Sequence, residues 1–343
     1  MKKLLNTLYI TAQGTYLSKD GECVLVRGED GASRRFPLHV LDGIVCFGNV
    51  LCSPFLLGHC AEQGLAVSFL TEHGRFLAMV RGPQQGNVRL RKAQYRQADD
   101  AAGVAGVARA VLAGKVANTR TVLRRCLRDH GERVDAARVG QALQVLEACA
   151  QELRRPLGLD QARGMEGQAA SAYFGVFDCL ILQNREEFPF AGRNRRPPLD
   201  AVNCLLSFVY TLLAHDVRSA LEGVGLDPQV GFLHRDRPGR PGLALDMMEE
   251  FRAVVADRLV LSLINRGEVR GRDFVRKESG AVLMDDDARK RVLTAWQKRK
   301  QQEVTHPFLN QSLPLGLVFH IQAQLLARYL RGDLDGYPPF FWK

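Results

Sequence analysis

The spacing of apolar residues changes near residues 81–100, and this change constrains the fold more than any other feature. Before it, short β-type runs alternate with turns such as Lys19-Asp20-Gly21, whose glycine can supply the positive φ of a tight hairpin. After it, apolar residues recur at helical spacing from Val104 to Leu127. The pattern predicts an α+β fold with a β domain over residues 1–85, a linker and helix start over 86–100, and a helical domain over 101–343.

Turn and cap signals give the predicted elements approximate bounds. Strands are predicted over residues 7–10, 14–17, 23–27, 35–38, 66–70 and 75–80. One helix interrupts them, because Ser53 can cap it, Pro54 suits its first position and Gly64 can end it. A long helix is predicted to end at Asp129-His130-Gly131, and a second to cover residues 139–153.

Composition narrows the class of protein. The 343 residues are 46% hydrophobic and 24% charged, which excludes disordered, collagenous and coiled-coil chains. Lys and Arg number 47 against 37 Asp and Glu, and a net charge of +10 suits a polyanionic partner such as nucleic acid. Eight scattered cysteines without a CxxC pair are typical of a reducing compartment, and no apolar run of 18 residues occurs. We expect a soluble, cytoplasmic protein without a membrane segment.

Three segments place ionisable residues where chemistry is plausible. Glu166 lies among very small residues, which let a ligand approach closely, although a packed helix with one surface Glu explains the segment by itself. His234 opens a loop rich in Arg, Gly and Pro, and a lone His is usually an ordinary surface or core residue. On a helix, Asp246, Glu249 and Glu250 share one side, which otherwise would be a solvated acidic face with a Glu249–Arg252 pair.

Together these segments predict a metal site. Carboxylates from Glu166 and Glu249 with the imidazole of His234 suit Mn²⁺ or Mg²⁺ better than structural zinc, which prefers Cys and His. Such an ion can polarise a phosphodiester and stabilise its leaving oxygen. The sequence contains no Walker A loop, GxSxG, HExxH or convincing GxGxxG motif.

Basic clusters are candidates for contacts with DNA phosphates. Their alternative is a solvated charged surface, which on composition alone is the commoner case. Asp285, Asp286 and Asp287 precede the last cluster and are predicted to cap a helix rather than to bind metal. The candidate DNA-binding residues are Arg89, Lys92, Arg235, Arg237, Arg240, Lys298, Arg299 and Lys300.

The motifs resemble one family nearly end to end. The chain is similar to the universal CRISPR adaptation nuclease, the CRISPR-associated integrase that captures new spacers, and is most like its type I-C branch. The most specific motif is Gly231-Phe232-Leu233-His234, with Asp246-Met247-Met248-Glu249-Glu250-Phe251-Arg252 beginning twelve residues after the histidine. The other matching segments are residues 86–95, 164–167, 195–198, 203–210 and 337–343.

The resemblance implies a fold, a site and a reaction. The N-terminal domain would be sandwich-like and dimerise, and the larger all-α C-terminal domain would be catalytic. Glu166, His234 and Glu249 match the family's metal-binding triad, and Asp246 matches an additional acid. With Mg²⁺ or Mn²⁺, a prespacer 3′-hydroxyl would be joined to the CRISPR repeat by transesterification, with hydrolysis as the related nuclease reaction.

The implied partners are double-stranded DNA, a second copy of the chain, CRISPR-associated protein two and an end-processing CRISPR nuclease. Two alternatives remain open from the residues. One is a metal-dependent, structure-specific nuclease that does not integrate. The other is a non-catalytic dimeric DNA-binding scaffold, for which substitution of Glu166 or His234 would change no activity.

Overall fold

The computed structural model describes residues 6–74, 76–80, 82, 88–195 and 197–342. Residues 83–87, which include the start of the predicted linker, lie outside the described residues, as do Arg75 of the predicted strand 75–80 and Arg196. The strands are β1 (Thr7–Ile10), β2 (Thr15–Asp20), β3 (Cys23–Arg27), β4 (Ser33–Pro37), β5 (Gly43–Phe47), β6 (Val50–Cys52), β7 (Ala66–Leu70), β8 (Phe76–Val80), β9 (Phe274–Arg276), β10 (Val282–Met284), β11 (Glu303–His306) and β12 (Gln311–Pro314). The helices are α1 (Pro54–Glu62), α2 (Val88–Asp99), α3 (Ala101–His130), α4 (Ala136–Glu152), α5 (Leu159–Phe174), α6 (Ala201–Gly223), α7 (Gly242–Met248), α8 (Arg258–Asn265), α9 (Asp286–Lys300) and α10 (Leu315–Leu330).

The chain forms two compact units. The first comprises Met1–Gly86 and Asp285–Gln302, and the second comprises Asn87–Met284 and Glu303–Lys343. The division at Gly86 lies beside the predicted boundary at residue 85. Residues 285–302, however, belong to the first unit, whereas the sequence pattern assigned them to the helical domain. The reason is that α9 buries the whole indole of Trp296 and both Val292 and Leu293 within the first unit.

The first unit contains two four-stranded sheets that share a core. One sheet has the order β4-β3-β2-β6, and the other has the order β1-β5-β7-β8 with three adjacent parallel strands. Leu17 and Val24 from the first sheet and Ile44 and Val67 from the second are fully buried in one apolar cluster. Helix α1 begins as predicted, with Ser53 Oγ accepting a hydrogen bond from the N–H of Leu56 at 3.2 Å.

The second unit is mainly helical. Helix α3 runs for 30 residues and packs against α4 and α5. Two short antiparallel hairpins, β9–β10 and β11–β12, interrupt the helices. The predicted all-α composition of the C-terminal domain is therefore not met in full. The α+β class itself is confirmed. Among the described residues, none of the helices is both long enough and apolar enough to cross a membrane.

The acidic segment of the second unit is not one regular helix. Helix α7 ends at Met248, a π-helical turn covers Arg252–Asp257, and α8 follows. The apolar side chains of this segment, Met248, Phe251, Val255 and Leu259, are buried. Glu249 and Glu250 lie between α7 and this irregular turn, and such π-helical segments occur frequently at functional sites.

Candidate metal and phosphodiester site

Three elements of the second unit bring Glu166 and Glu249 to a shared cation. Lys115 lies on α3, Glu166 on α5 and Glu249 directly after α7. The ammonium of Lys115 contacts Glu166 Oε1, and its Nζ lies 2.9 Å from Glu249 Oε2. Two carboxylates that are distant in sequence therefore share one cation, and their role as metal ligands with His234 stays a prediction.

Asp246 organises the loop that carries His234. Its carboxylate accepts hydrogen bonds from the backbone N–H groups of Phe232, Leu233 and His234, at 2.5 to 2.9 Å. His234 Nδ1 lies 2.6 Å from Asp246 Oδ1, so the ring donates its Nδ1–H to the carboxylate. Because the other ring nitrogen, Nε2, keeps its lone pair, it can act as a metal ligand.

A glycine makes this loop possible. A Cβ atom at Gly231 would lie 2.7 Å from Asp246 Oδ2 and equally close to the carbonyl carbon of Gly242. Only the absence of a side chain lets the backbone approach the carboxylate so closely. The Gly231-to-His234 motif thus has a direct geometric reason.

Opposite charges hold Glu249 in its ionised form. The carboxylate is 4% exposed, and Arg252 Nη1 lies 2.7 Å from Oε1. Burial by itself would raise the pKa of Glu249, but Arg252, Lys115 and His234 lower it to about 2. The Glu249–Arg252 pair was predicted from their spacing, whereas the solvated acidic face was wrong because Asp246, Glu249 and Glu250 are all buried.

Tyr210 holds the side chain of Arg252 in place on the side away from Glu249. Its guanidinium lies over the ring of Tyr210, 4.4 Å from the centroid, and the Tyr210 hydroxyl donates to Asp257 at 2.6 Å. Arg252 therefore presents its charge to Glu249 from a fixed direction. This arrangement leaves Oε2 of Glu249 as the oxygen that faces Lys115.

The side chains present fit a divalent ion. Glu249 Oε2 is buried and accepts no hydrogen bond in good geometry, although Lys115 is close to it. Two carboxylates and an imidazole whose Nδ1 is held by Asp246 are the kinds of ligand that Mg²⁺ and Mn²⁺ sites use. Among the described residues, no three His, Cys, Asp or Glu side chains are gathered around one point as a metal cluster. The ammonium of Lys115 lies between Glu166 and Glu249 and contacts both carboxylates.

Lys115 is the site residue that the sequence analysis missed. The sequence does contain a sign that Lys115 is buried, because the residue falls on the buried stripe of α3 between Val111 and Thr119. A lysine at such a position needs an acidic partner, since an unpaired buried charge is costly. Periodicity alone did not identify that partner.

The predicted DNA-binding residues fall into two groups. Arg89 and Lys92 are exposed on α2, and Gln94 of the same helix hydrogen-bonds the carbonyls of Asp227 and Val230 at 2.7 and 2.9 Å. Arg235 and Arg237 are exposed on the loop that follows His234, and Arg240 is half-buried. These five lie in the unit that contains the acidic site.

The second group lies in the first unit. Lys298 is exposed and Arg299 is half-buried, with its Nη1 2.6 Å from Gln302 Oε1. Lys300 is 2% exposed and its Nζ is 3.5 Å from Thr7 Oγ1, which speaks against the predicted phosphate contact. Asp285 caps α9 by accepting from the N–H of Ala288 at 2.7 Å, so the predicted capping role is confirmed.

The sequence motifs and the relatives of the chain agree on one class of protein, a CRISPR-associated nuclease. The chain belongs to the CRISPR associated protein Cas1 family, which it matches over residues 8–298. It is 59% identical over its full length to the CRISPR-associated endonuclease Cas1 1 of Chlorobaculum tepidum, covering all of both chains. The family predicted from the motifs is therefore confirmed.

Other relatives extend the comparison. A CRISPR-associated exonuclease Cas4/endonuclease Cas1 fusion of Geobacter sulfurreducens is 38% identical over 97% of this chain, which spans 60% of the fusion. A casposase bound to its integration product has the same fold, with a TM-score of 0.85 at 22% identity over 98% of this chain and 94% of the casposase. A Cas6-RT-Cas1–Cas2 complex gives a TM-score of 0.82 at 22% identity over 98% of this chain and 36% of that chain.

Proposed function

We propose that this protein is a CRISPR adaptation integrase, a metal-dependent DNA endonuclease and transesterase that joins prespacer 3′-hydroxyl ends to the CRISPR repeat. The observation that carries the proposal is the meeting of Glu166 and Glu249 on one cation, with His234 oriented by Asp246 in the same unit. A basic chain of the Cas1 family with this site suits DNA as its substrate.

Glu166, Glu249 and Nε2 of His234 would hold Mg²⁺ or Mn²⁺. Such an ion supplies Lewis acidity toward a phosphodiester oxygen. Arg252 keeps Glu249 ionised, and Asp246 keeps the proton of His234 on Nδ1. In the joining reaction the incoming 3′-hydroxyl loses its proton to water and its oxygen forms a bond to the phosphorus, while the bond from phosphorus to the departing 3′-oxygen breaks and that oxygen takes up a proton from water.

The exposed arginines and lysine near the loop and α2 would bind the DNA backbone. Arg235 and Arg237 follow His234 directly, and α2 is tied by Gln94 to the segment that precedes it. Arginine matches phosphate oxygens with two parallel hydrogen bonds. The bound strand would thereby pass close to the acidic site.

The protein would act in the cytoplasm as a homodimer with partner proteins. A homodimer would form through the first unit, where Tyr16, Leu51, Phe55, Phe76 and Leu77 expose apolar side chains. The Geobacter fusion and the Cas1–Cas2 complex support CRISPR-associated protein two and an end-processing nuclease as partners. All eight cysteines are free, which suits the cytoplasm.

A strand-joining assay tests the function. Purified protein is mixed with a labelled duplex that has free 3′-hydroxyls, a supercoiled plasmid carrying a CRISPR repeat, and Mn²⁺, with and without the companion protein. We expect wild type to transfer label into the plasmid, and Glu166→Ala and His234→Ala to lose transfer by at least about a hundredfold.

The other outcomes separate the alternatives. Cleavage without joining, even with the companion present, would identify a structure-specific nuclease. Equal DNA binding and no chemistry in all three proteins would leave the non-catalytic scaffold. Transfer by both variants at the wild-type rate would show that the site has been misassigned.

A further inference from the structure

We propose that Lys115 is the built-in counter-ion of the ion-free site, and that a divalent metal ion must displace its ammonium to bind. Lys115 would thereby set the metal affinity of the enzyme. The inference rests on the proposed function, since it concerns the same metal site. It assigns a positioning role to a residue outside the three predicted ligands.

The same oxygens serve the ammonium and the ion. Lys115 Nζ contacts Glu166 Oε1 and lies 2.9 Å from Glu249 Oε2. The other oxygen of Glu249, Oε1, is already bound to Arg252 at 2.7 Å. Consequently the Glu249 oxygen open to a metal ion is the one that faces Lys115, and the two cations compete for it.

Charge explains why a counter-ion is needed. Glu249 is almost completely buried, and Arg252 neutralises only one carboxylate of the pair. Without Lys115, Oε2 of the buried Glu249 would lose the cation it shares with the carboxylate of Glu166, which is 33% exposed, and removing one partner from a buried ion pair destabilises a folded protein. The lysine therefore stabilises the two neighbouring carboxylates in the absence of an ion.

The position of the ammonium is imposed by packing. Asn118, one turn after Lys115, donates from Nδ2 to the carbonyls of Glu250 and Phe340 at 2.7 and 2.8 Å. Gly114, immediately before Lys115, lies so close to Glu250 that a Cβ atom would be 3.2 Å from the Cγ of that residue. This turn of α3 is thus fastened to the segment that carries Glu249, and the lysine is aimed at the carboxylates from a fixed backbone.

Two variants with opposite expected effects test the role. Mn²⁺ binding is measured without DNA, by calorimetry or by the electron paramagnetic resonance of free Mn²⁺. Lys115→Met removes the competing cation, so the affinity should rise roughly tenfold or more. Lys115→Arg keeps the charge and grips both carboxylates with a planar fork, so the affinity should fall. Lys277→Met, at an exposed hairpin lysine, should leave it unchanged.

A thermal measurement keeps the test valid if Lys115→Met folds poorly. Its ion-free unfolding temperature should be lower than that of wild type, and Mn²⁺ should raise it by a larger interval. An affinity that is unchanged or weaker in folded Lys115→Met would overturn the inference, as would an unchanged affinity in Lys115→Arg. If wild type and all variants bind no Mn²⁺, the metal site of the proposed function fails together with the role of Lys115.

Discussion

Glu249 and Glu250 are neighbours in the chain, but their carboxylates lie in opposite electrostatic surroundings. Glu249 faces Lys115 and Arg252, which lower its pKa to about 2. Glu250 turns into the core, where burial raises its pKa to about 8 although Tyr337, Phe340 and Gln322 donate hydrogen bonds to it. Glu249 is therefore ionised and pairs with cations, whereas Glu250 binds the C-terminal segment through Tyr337 and Phe340.

The shift at Glu250 predicts how stability depends on pH. The folded protein keeps the carboxyl proton up to about pH 8, whereas the unfolded chain loses it near 4.5. Unfolding therefore releases a proton between these values, and the free energy of unfolding falls as the pH rises, by the order of a few kcal/mol. Urea unfolding of wild type and Glu250→Gln from pH 4.5 to 8.5 measures this.

The comparison isolates Glu250 from other groups. Burial raises the pKa of Asp257 to about 6. Asp257 therefore also lowers the free energy of unfolding as the pH rises, and it does so equally in wild type and in Glu250→Gln. Glu249 titrates below this range. We expect a flatter profile in Glu250→Gln, and parallel profiles would show that Glu250 is ionised throughout.

Asp246 is a second residue-scale test, because it orients a proposed ligand without being one. Asp246→Asn replaces an acceptor oxygen by a donor that faces three backbone N–H groups. We expect Mn²⁺ affinity to fall roughly 10- to 100-fold and the free energy of unfolding to fall by about 1–3 kcal/mol. Calorimetry and urea unfolding measure the two effects. Asp160→Asn, at an acid that is 84% exposed, should change neither, and normal Mn²⁺ affinity in Asp246→Asn would refute the orienting role.

At the scale of elements, α3 is the helix on which the site is built. Its buried stripe packs against α4 and α5, and its turn from Gly114 to Asn118 is fastened to Glu250. The stripe was predictable from periodicity. The C-terminal segment that packs on Gly114 was not, because its contacts join residues more than 200 positions apart.

Two glycine substitutions separate helix propensity from packing. Gly140→Ala, where a Cβ would meet nothing within 4 Å on α4, should raise the free energy of unfolding by about 0.5–1 kcal/mol. Gly114→Ala should lower it by about 1–2 kcal/mol, because its Cβ would lie 3.1 Å from Pro339 and 3.2 Å from Glu250. Urea unfolding compares them, and equal stabilisation by both would show that the C-terminal segment gives way freely.

At the scale of the whole molecule, the first unit exposes several large apolar side chains. Tyr16 and Leu51 are register partners on β2 and β6, are 39% and 60% exposed, and precede Phe55, which is 84% exposed. An outward apolar face of this kind marks an interaction surface. It is the basis of the proposed dimer.

Phe55→Asp should weaken that dimer by roughly 30-fold or more, because it places a charge in the apolar face. Light scattering after gel filtration over a range of concentrations measures the change. Phe308→Asp, at an aromatic residue in the second unit that is 50% exposed, is the matched control and should leave the dimer intact. A dimer that survives Phe55→Asp would place the interface elsewhere.

The sequence by itself determined the α+β class, the caps at Ser53 and Asp285, and the family, because propensity, turn chemistry and motifs are local. It also predicted Glu166, His234 and Glu249 as metal ligands, which stays a prediction. Only the tertiary structure decided that Lys115 joins Glu166 to Glu249, that Glu250 faces inward and that Lys300 is buried. Packing between elements decides which way a side chain faces at a helix break. It also decides which distant charge neutralises that side chain, and periodicity does not encode this packing.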